Sequence, residues 1–183
     1  MAKTPFLLVI ALSLILTGCA AQRGSVRAAQ QIPDLYASAD GFSARVRTTV
    51  NRGDLESDFV LLWQDRGSSA SIEVASPSSV AGIRAEIAGD SRTLHYAGAA
   101  LTLPETVSPL ELLPMLRLCW QNPPAEYEAS EETVTLVYYE TVGEEAYELR
   151  TRFDAAKWQP LEAAVFNNGE RIVLYIFELF SFA

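Results

Sequence analysis

"SPLELLPMLRLCWQ", residues 108–121, breaks the β pattern of the sequence on either side of it. Ser108 and Glu111 stand three residues apart and can satisfy each other's backbone donors at a helix start, and Pro109 suits the first helical position. The apolar stripe that follows at near-helical spacing consists of Leu112, Leu113, Leu116 and Trp120. The sequence therefore predicts a helix, which Pro114 should kink or restart because proline lacks the N–H group.

Period-two alternation on both sides of this helix predicts β-strands. In residues 42–50 the apolar side chains fall on one face of the chain and the polar ones on the other. Short turns such as "NRGD" and "NNGE" have the length and chemistry of hairpin turns. The other predicted strands are "FVLLW", "ASIEV", "GIRAEIA", "RTLHY", "ALTL", "TVTLVYY", "AYELRTRF", "PLEAAVF" and "RIVLYIFELF".

The order strands, one helix, strands predicts a mainly β fold, a strongly curved antiparallel sheet with the helix on its concave side. The helix is either a plain cover for the sheet or a lid over a cavity. Residues 59–63 and 172–177 are apolar on both faces, so either both faces of the sheet are covered or one lines an apolar interior. The final run is too short to span a membrane and is predicted to be a central strand buried on both faces.

The N-terminal residues have the layout of a lipoprotein signal peptide, predicted to be residues 1–18. Lys3 precedes an apolar run, Phe6–Leu16, of about half the roughly 20 residues that a membrane span needs. The sequence "LTGC", residues 16–19, resembles a bacterial lipobox, in which Cys19 carries a diacylglycerol with or without an N-acyl chain. Ordinary secretion is the alternative. Residues 19–33 are predicted to be a lipidated tether and residues 34–183 one domain.

Charge and cysteine content exclude several classes of function. The formal net charge is −9, and loss of the signal peptide with its one lysine and no acidic residue would make it −10. An acidic chain argues against binding nucleic acid and against docking on anionic lipid head groups. Once Cys19 is lipidated, Cys119 has no disulfide partner and is predicted to be a buried thiol. A single histidine and the absence of a CxxC motif predict no metal site.

Catalysis would have to rest on His95, Cys119 and the acidic residues. A Cys–His pair usually needs a third, orienting group, and neither a phosphate-binding loop nor a GxSxG motif occurs. We therefore expect a protein that is not an enzyme, with no catalytic residues and no cofactor.

Three segments in order resemble the LolA/LolB superfamily, and most of all its LolB type, which is itself a lipoprotein. They are the strand–Ser–Pro–strand corner "ASIEVASPSSVAGIRAEI", the interrupted helix "SPLELLPMLRLCWQNPP" and the terminal strand "NGERIVLYIFELF". The resemblance covers most of residues 42–180. It implies an incomplete antiparallel β-barrel, or half-barrel, closed by a short helical lid, with an apolar cavity that receives the acyl chains of lipoproteins.

The resemblance also suggests roles for particular residues. An apolar residue after the Ser-Pro corner helps the LolB type enter the membrane; here Ser78 follows Pro77, so Val80 is the nearest candidate. An arginine ties lid to barrel in the LolA type, and Arg45 and Arg47 lie in the corresponding strand. The candidates for lining the cavity and lid are Phe59, Leu61, Trp63, Leu112, Leu113, Leu116 and Trp120.

Two functions follow as hypotheses. The first is a membrane-anchored envelope lipoprotein that binds acyl chains of lipoproteins or lipids for sorting or insertion. The second is a surface lipoprotein that binds another envelope protein without lipid cargo. Candidate partners are the membrane, acyl chains, and a periplasmic carrier or another envelope protein. Ala20 after the cysteine predicts the outer membrane if the cell has one, and otherwise the outer face of the cytoplasmic membrane.

The substitution Cys19→Ala is expected to abolish lipidation and processing, because no other thiol stands at the end of the apolar run. The measurement is metabolic labelling with a clickable palmitate analogue followed by membrane fractionation. Label and membrane association that persist in the Cys19→Ala chain would show that the lipobox interpretation is wrong.

Overall fold

A computed structural model describes residues 30–89, 91–102 and 109–183. Two helices lie in this part of the chain: α1, helical throughout 30–38, and α2, Pro109–Trp120. The strands are β1 Phe42–Arg52, β2 Leu55–Asp65, β3 Ser69–Ser76, β4 Arg84–Ala88, β5 Ser91–Tyr96, β6 Ala99–Thr102, β7 Glu126–Ala129, β8 Thr133–Val142, β9 Glu145–Asp154, β10 Pro160–Asn167 and β11 Glu170–Phe182.

All eleven strands form one antiparallel sheet, in the order β6-β5-β4-β3-β2-β1-β11-β10-β9-β8-β7. Each half of the sheet is a meander, and the pairing of β1 with β11 joins the halves. The edge strands β6 and β7 follow each other in sequence but lie at opposite ends of the strand order, so the sheet is not closed. The predicted fold class, a mainly β half-barrel with a helix, is confirmed.

Strand β1 shows the predicted alternation. Phe42, Ala44 and Val46 are buried, whereas Arg45 and Arg47 are exposed. The buried side chains face α1 and α2, and we call this face of the sheet the inner face. The period-two pattern of the sequence therefore assigned the two faces of β1 correctly.

The prediction that the terminal strand is buried on both faces is wrong. In β11 the inner-face side chains Val173 and Tyr175 are buried, but on the outer face Ile176 is 37% and Leu179 is 67% exposed. Residues 59–63 of β2 behave in the same way, with Leu62 38% exposed. Both helices pack on the inner face, and the described residues place no element over these outer side chains.

A β-bulge in β11 explains how its apolar residues change parity. Arg45 pairs with Leu179 and Val46 with Phe177, so Glu178 is an extra residue opposite β1. The extra residue lets Phe177 and then Phe180 both pack against the core, although they are three positions apart. Glu178 therefore marks the bulge rather than the end of the strand.

The folded domain begins earlier than predicted. Residues 30–33, assigned to the tether, are helical, and Ile32 has no exposed surface. Tyr36, one helical turn further on, is also buried and donates a hydrogen bond from its hydroxyl to the Trp158 carbonyl at 3.1 Å. Because α1 packs into the core, residues 30–33 belong to the folded domain rather than to a tether.

Helix α2 confirms the helix predicted from the apolar stripe. It runs from Pro109 to Trp120 and does not restart at Pro114; the predicted capping residue, Ser108, lies outside the described residues. The Trp120 ring lies 5.1 Å from that of Tyr36 and 6.0 Å from that of Trp63, measured between centroids. Its Nε1 donates a hydrogen bond to Thr151 Oγ1 at 2.9 Å. This tryptophan thus connects α1, α2 and both halves of the sheet.

A buried ion pair ties α2 to the sheet. Arg117 Nε lies 2.7 Å from Asp65 Oδ1 at the end of β2, and both side chains are less than a tenth exposed. Asp65 also accepts a hydrogen bond from the Gly67 N–H at 2.9 Å. Burial raises the pKa of Asp65, while the Gly67 N–H and the Arg117 charge act in the opposite direction. Removing either partner would therefore leave a buried charged group without its counter-ion.

Asp65→Asn is expected to lower the free energy of unfolding by roughly 3–5 kcal/mol, because it leaves the buried Arg117 cation without its anion. The double variant Asp65→Asn/Arg117→Met should lose less than Asp65→Asn alone. Urea unfolding followed by tryptophan fluorescence measures both. Glu162→Gln is the matched control: it breaks the exposed Arg152–Glu162 pair and should cost less than about 1 kcal/mol. Equal losses for Asp65→Asn and Glu162→Gln would contradict this assignment.

Candidate functional site

The inner face carries an apolar cavity of about 440 Å³ beside the packed core. Strands β1, β2 and β3 and the corner between β3 and β4 form its walls. The lining residues are Thr48, Val50, Arg52, Leu55, Ser57, Phe59, Leu61, Val74, Val80 and Ile83.

The pairing of β1 with β2 sets the order of side chains along the cavity. Thr48 pairs with Phe59, Val50 with Ser57, and Arg52 with Leu55 at the hairpin end. Because alternate residues share a face, all six belong to the inner face. Leu55 is 71% exposed, so the cavity opens to solvent at the β1–β2 hairpin.

The Ser-Pro corner closes one side of the cavity. The Ser76–Pro77 peptide bond is cis. The Val80 N–H donates to the Pro77 carbonyl at 3.1 Å, and the Gly82 N–H donates to the Val74 carbonyl at 2.9 Å. These bonds fold the corner over the inner face. Val80, predicted to protrude for membrane insertion, is instead half-buried in the cavity wall.

The structure separates the seven predicted cavity and lid residues into two groups. Phe59 and Leu61 line the cavity. The others belong to the packed core, each with at most 2% of its surface exposed: Trp63, Leu112, Leu113, Leu116 and Trp120. A side chain with so little accessible surface borders no space large enough for water. The space beneath residues 112–120 is therefore packed core, and the cavity lies beside it; a role for any of the seven in ligand binding stays a prediction.

The sequence analysis missed seven residues of the cavity lining: Thr48, Val50, Arg52, Leu55, Ser57, Val74 and Ile83. The alternation of apolar and polar residues placed Val50 on the correct face of β1. The same alternation in "ASIEV" places Val74 on the apolar face of its strand. Neither pattern reveals that the corner after β3 packs beside the end of the β1–β2 hairpin, because that proximity arises only when the sheet forms.

Neither Arg45 nor Arg47 ties the helix to the sheet. Both lie on the outer face, where Arg45 Nε is 3.0 Å and Arg47 Nη2 is 2.5 Å from the Glu178 carboxylate. The hydrogen bond from Arg47, followed by the one from Arg45, holds the pKa of Glu178 below its ordinary value. The tie is made instead by the Asp65–Arg117 pair, with the cation on the helix.

The other candidates for chemistry lie in separate surroundings. Cys119 is buried and unpaired, as predicted, and its thiol donates to Glu140 Oε1 at 3.6 Å. Burial, reinforced by the Glu140 charge, raises the pKa of Cys119 to about 12. His95 Nε2 lies 3.1 Å from Glu86 Oε2 on β4. The cysteine is therefore held as a neutral thiol, which is a poor nucleophile.

Neither a metal-binding cluster nor a membrane-spanning helix occurs among the described residues. Among them no group of three or more His, Cys, Asp or Glu side chains is placed to hold a metal ion. No helix in the same part of the chain is long and apolar enough to cross a membrane. Cys19 lies outside the described residues, so its lipidation stays a prediction.

Comparisons with known proteins extend to fold but not to a named family. No protein-family model and no curated protein matches the sequence. An uncharacterized conserved protein from Thermus thermophilus is 13% identical, with 85% of this chain and 87% of that chain covered and a TM-score of 0.53. A LolA superfamily protein from Nitrosomonas europaea is 9% identical, with coverages of 87% and 93% and a TM-score of 0.43.

A chain in the structure of the CwlD amidase from Clostridioides difficile in complex with the GerS lipoprotein is 14% identical, with coverages of 84% and 89% and a TM-score of 0.47. At these identities the similarity is one of fold. The open antiparallel half-barrel with α2 on its inner face has the architecture that the sequence resemblance implied. The LolB type stays a prediction.

Cys119 is expected to resist alkylation in the native chain, because it is buried and its raised pKa leaves almost no thiolate at neutral pH. The measurement is the rate of iodoacetamide labelling of the Cys19→Ala chain, in which Cys119 is the remaining cysteine, with and without urea. Rapid labelling of the folded protein would contradict a structural role for this thiol.

Proposed function

We propose that this protein binds acyl chains of lipoproteins or lipids in the cavity formed by β1, β2 and β3. The observation that carries the proposal is a half-barrel whose inner face holds an open cavity with Val50, Phe59, Leu61 and Ile83 in its walls. Pockets for small molecules usually enclose about 300–1,000 Å³ and are mostly apolar, and this one has both properties.

Hydrophobic transfer supplies the driving force for such binding. Each methylene group moved from water into an apolar site contributes roughly 0.8 kcal/mol, less the cost of ordering a flexible chain. An acidic protein does not need a charged ligand for this interaction. The exposed Leu55 at the cavity opening provides apolar surface for a chain that is entering.

We further propose that the domain is held at the cell envelope through diacylglycerol on Cys19, in the outer membrane where the cell has one. The support is the sequence "LTGC" after a short apolar run. In this position the protein would receive chains from a carrier or from the membrane. We propose a binding protein rather than an enzyme, because Cys119 is buried as a neutral thiol and His95 contacts a different partner.

A second candidate function is binding to another envelope protein through the outer face of the sheet. Arg45 there stands between Leu62 and Leu179, and the next outer position places Arg47 beside Ile176. Leu62, Ile176 and Leu179 are all more than a third exposed. Neighbouring exposed apolar side chains are typical of interaction surfaces, which is the reason to retain this alternative.

Val80→Phe is expected to weaken the binding of an environment-sensitive fluorescent fatty acid about tenfold. The larger side chain would occupy space equivalent to about two methylene groups of ligand, at roughly 0.8 kcal/mol each. Titration of the full chain after delipidation measures the affinity. Val60→Phe is the matched control, because Val60 is next to Phe59 in β2 but points to the outer face, and it should bind as the wild type does.

The outcomes separate the two functions. Saturable binding that is about tenfold weaker in Val80→Phe and unchanged in Val60→Phe supports acyl binding in this cavity. A folded wild-type protein that gives no saturable signal would contradict it and would favour the protein-partner alternative.

A further inference from the structure

The polarity of the inner face changes in steps along the cavity. Deep in the cavity Leu61 and Phe59 provide apolar walls, and the next inner residue of β2 towards the opening is Ser57. The last inner-face pair is Arg52 with Leu55, at the hairpin end. A ligand that followed this order would be apolar at the closed end and polar where it meets solvent.

Arg52 is the one charged residue among the described residues that line the cavity. Its guanidinium has no hydrogen-bond or ion-pair partner in the described part of the chain, in contrast with the outer-face arginines of β1 and β9. Arg45 and Arg47 share Glu178, and Arg152 is 3.1 Å from Glu162. A cation at the mouth of an apolar cavity is therefore available for an anion brought by the ligand.

Among the described residues, the carboxylates nearest in sequence form no ion pair with this cation. Glu56 alternates to the outer face, and together with Asp54 it borders a neighbouring depression on the other side of Leu55. The Arg52 guanidinium is therefore the charged group that lines the cavity, and it favours an anionic head group at the opening.

We propose that the ligand is a single-chain amphiphile with an acidic head group, a long-chain carboxylate whose anion contacts Arg52. This inference rests on the proposed acyl-binding function and names the ligand class of the same site. The volume of about 440 Å³ lies in the lower half of the usual range for small-molecule pockets, which suits one chain. The guanidinium binds carboxylate with charge-assisted hydrogen bonds.

The test compares two ligands of equal chain length that differ in head-group charge. Hexadecanoate and hexadecanol each displace the neutral fluorescent probe N-phenyl-1-naphthylamine from the full chain, at a pH where the carboxylate is ionised. The wild type is expected to bind hexadecanoate about fivefold more tightly than hexadecanol, which corresponds to about 1 kcal/mol. This free energy lies between that of an exposed ion pair and that of a hydrogen bond to a charged group. Added salt should reduce this ratio.

Three variants make the test specific. Arg52→Gln should bring the ratio close to one, and Arg52→Lys should keep most of the preference because it retains the charge. Arg66→Gln is the matched control, since Arg66 is exposed just after β2 and lies outside the cavity lining, and it should keep the wild-type ratio.

A wild-type ratio of one, or an unchanged preference in Arg52→Gln, would overturn the assignment of the head group to Arg52 while acyl binding stands. Failure of both ligands to displace the probe from folded protein would overturn acyl binding and this inference together.

Discussion

The pairing of β1 with β11 is the constraint on which the rest of the structure depends. It joins strands from opposite ends of the domain and so fuses two meanders into one sheet with a common inner face. The bulge at Glu178 adjusts the register so that Phe177 and Phe180 both pack against the core. On the outer face the carboxylate of the bulged residue is held by Arg45 and Arg47. The bulge thus allows the apolar residues on both sides of Glu178 to face the core while β11 stays paired with β1.

Helix α2 divides the inner face that this pairing creates. Around Trp120, aromatic and leucine side chains fill the space completely, and the Asp65–Arg117 pair fixes the helix to the end of β2. Towards the β1–β2 hairpin no helix covers the sheet among the described residues, and the cavity remains. Removing one partner of a buried pair is far more costly than losing an exposed one, so α2 is a firmly held structural element. These contacts argue against α2 acting as a movable lid over the whole inner face.

The proposed function depends on the part of the inner face that packing leaves open. The cavity is bounded by strands and by the hydrogen-bonded corner after Pro77, so its shape is set by the sheet. Its opening lies at a hairpin end, where Leu55 and Arg52 stand opposite each other. A binding site of this kind needs no catalytic groups, and Cys119 and His95 are engaged in local contacts of their own. The exposed apolar residues beside Arg45 on the outer face are the basis of the second candidate function, binding to another protein.

The sequence by itself determined ten of the eleven strands, all but the short edge strand β7. It also determined the helix, the inner side of β1 and the burial of Cys119, because these depend on the spacing of neighbouring residues. It predicted an apolar site and named Phe59 and Leu61, which line the cavity. Only the tertiary structure decided that Leu113 and Leu116 fill the core, that Val80 turns inward, that Ile32 belongs to the domain, and that Asp65 meets Arg117. The physical reason is that periodicity tells which side chains share a face, whereas packing between distant segments decides whether that face is filled, open or exposed.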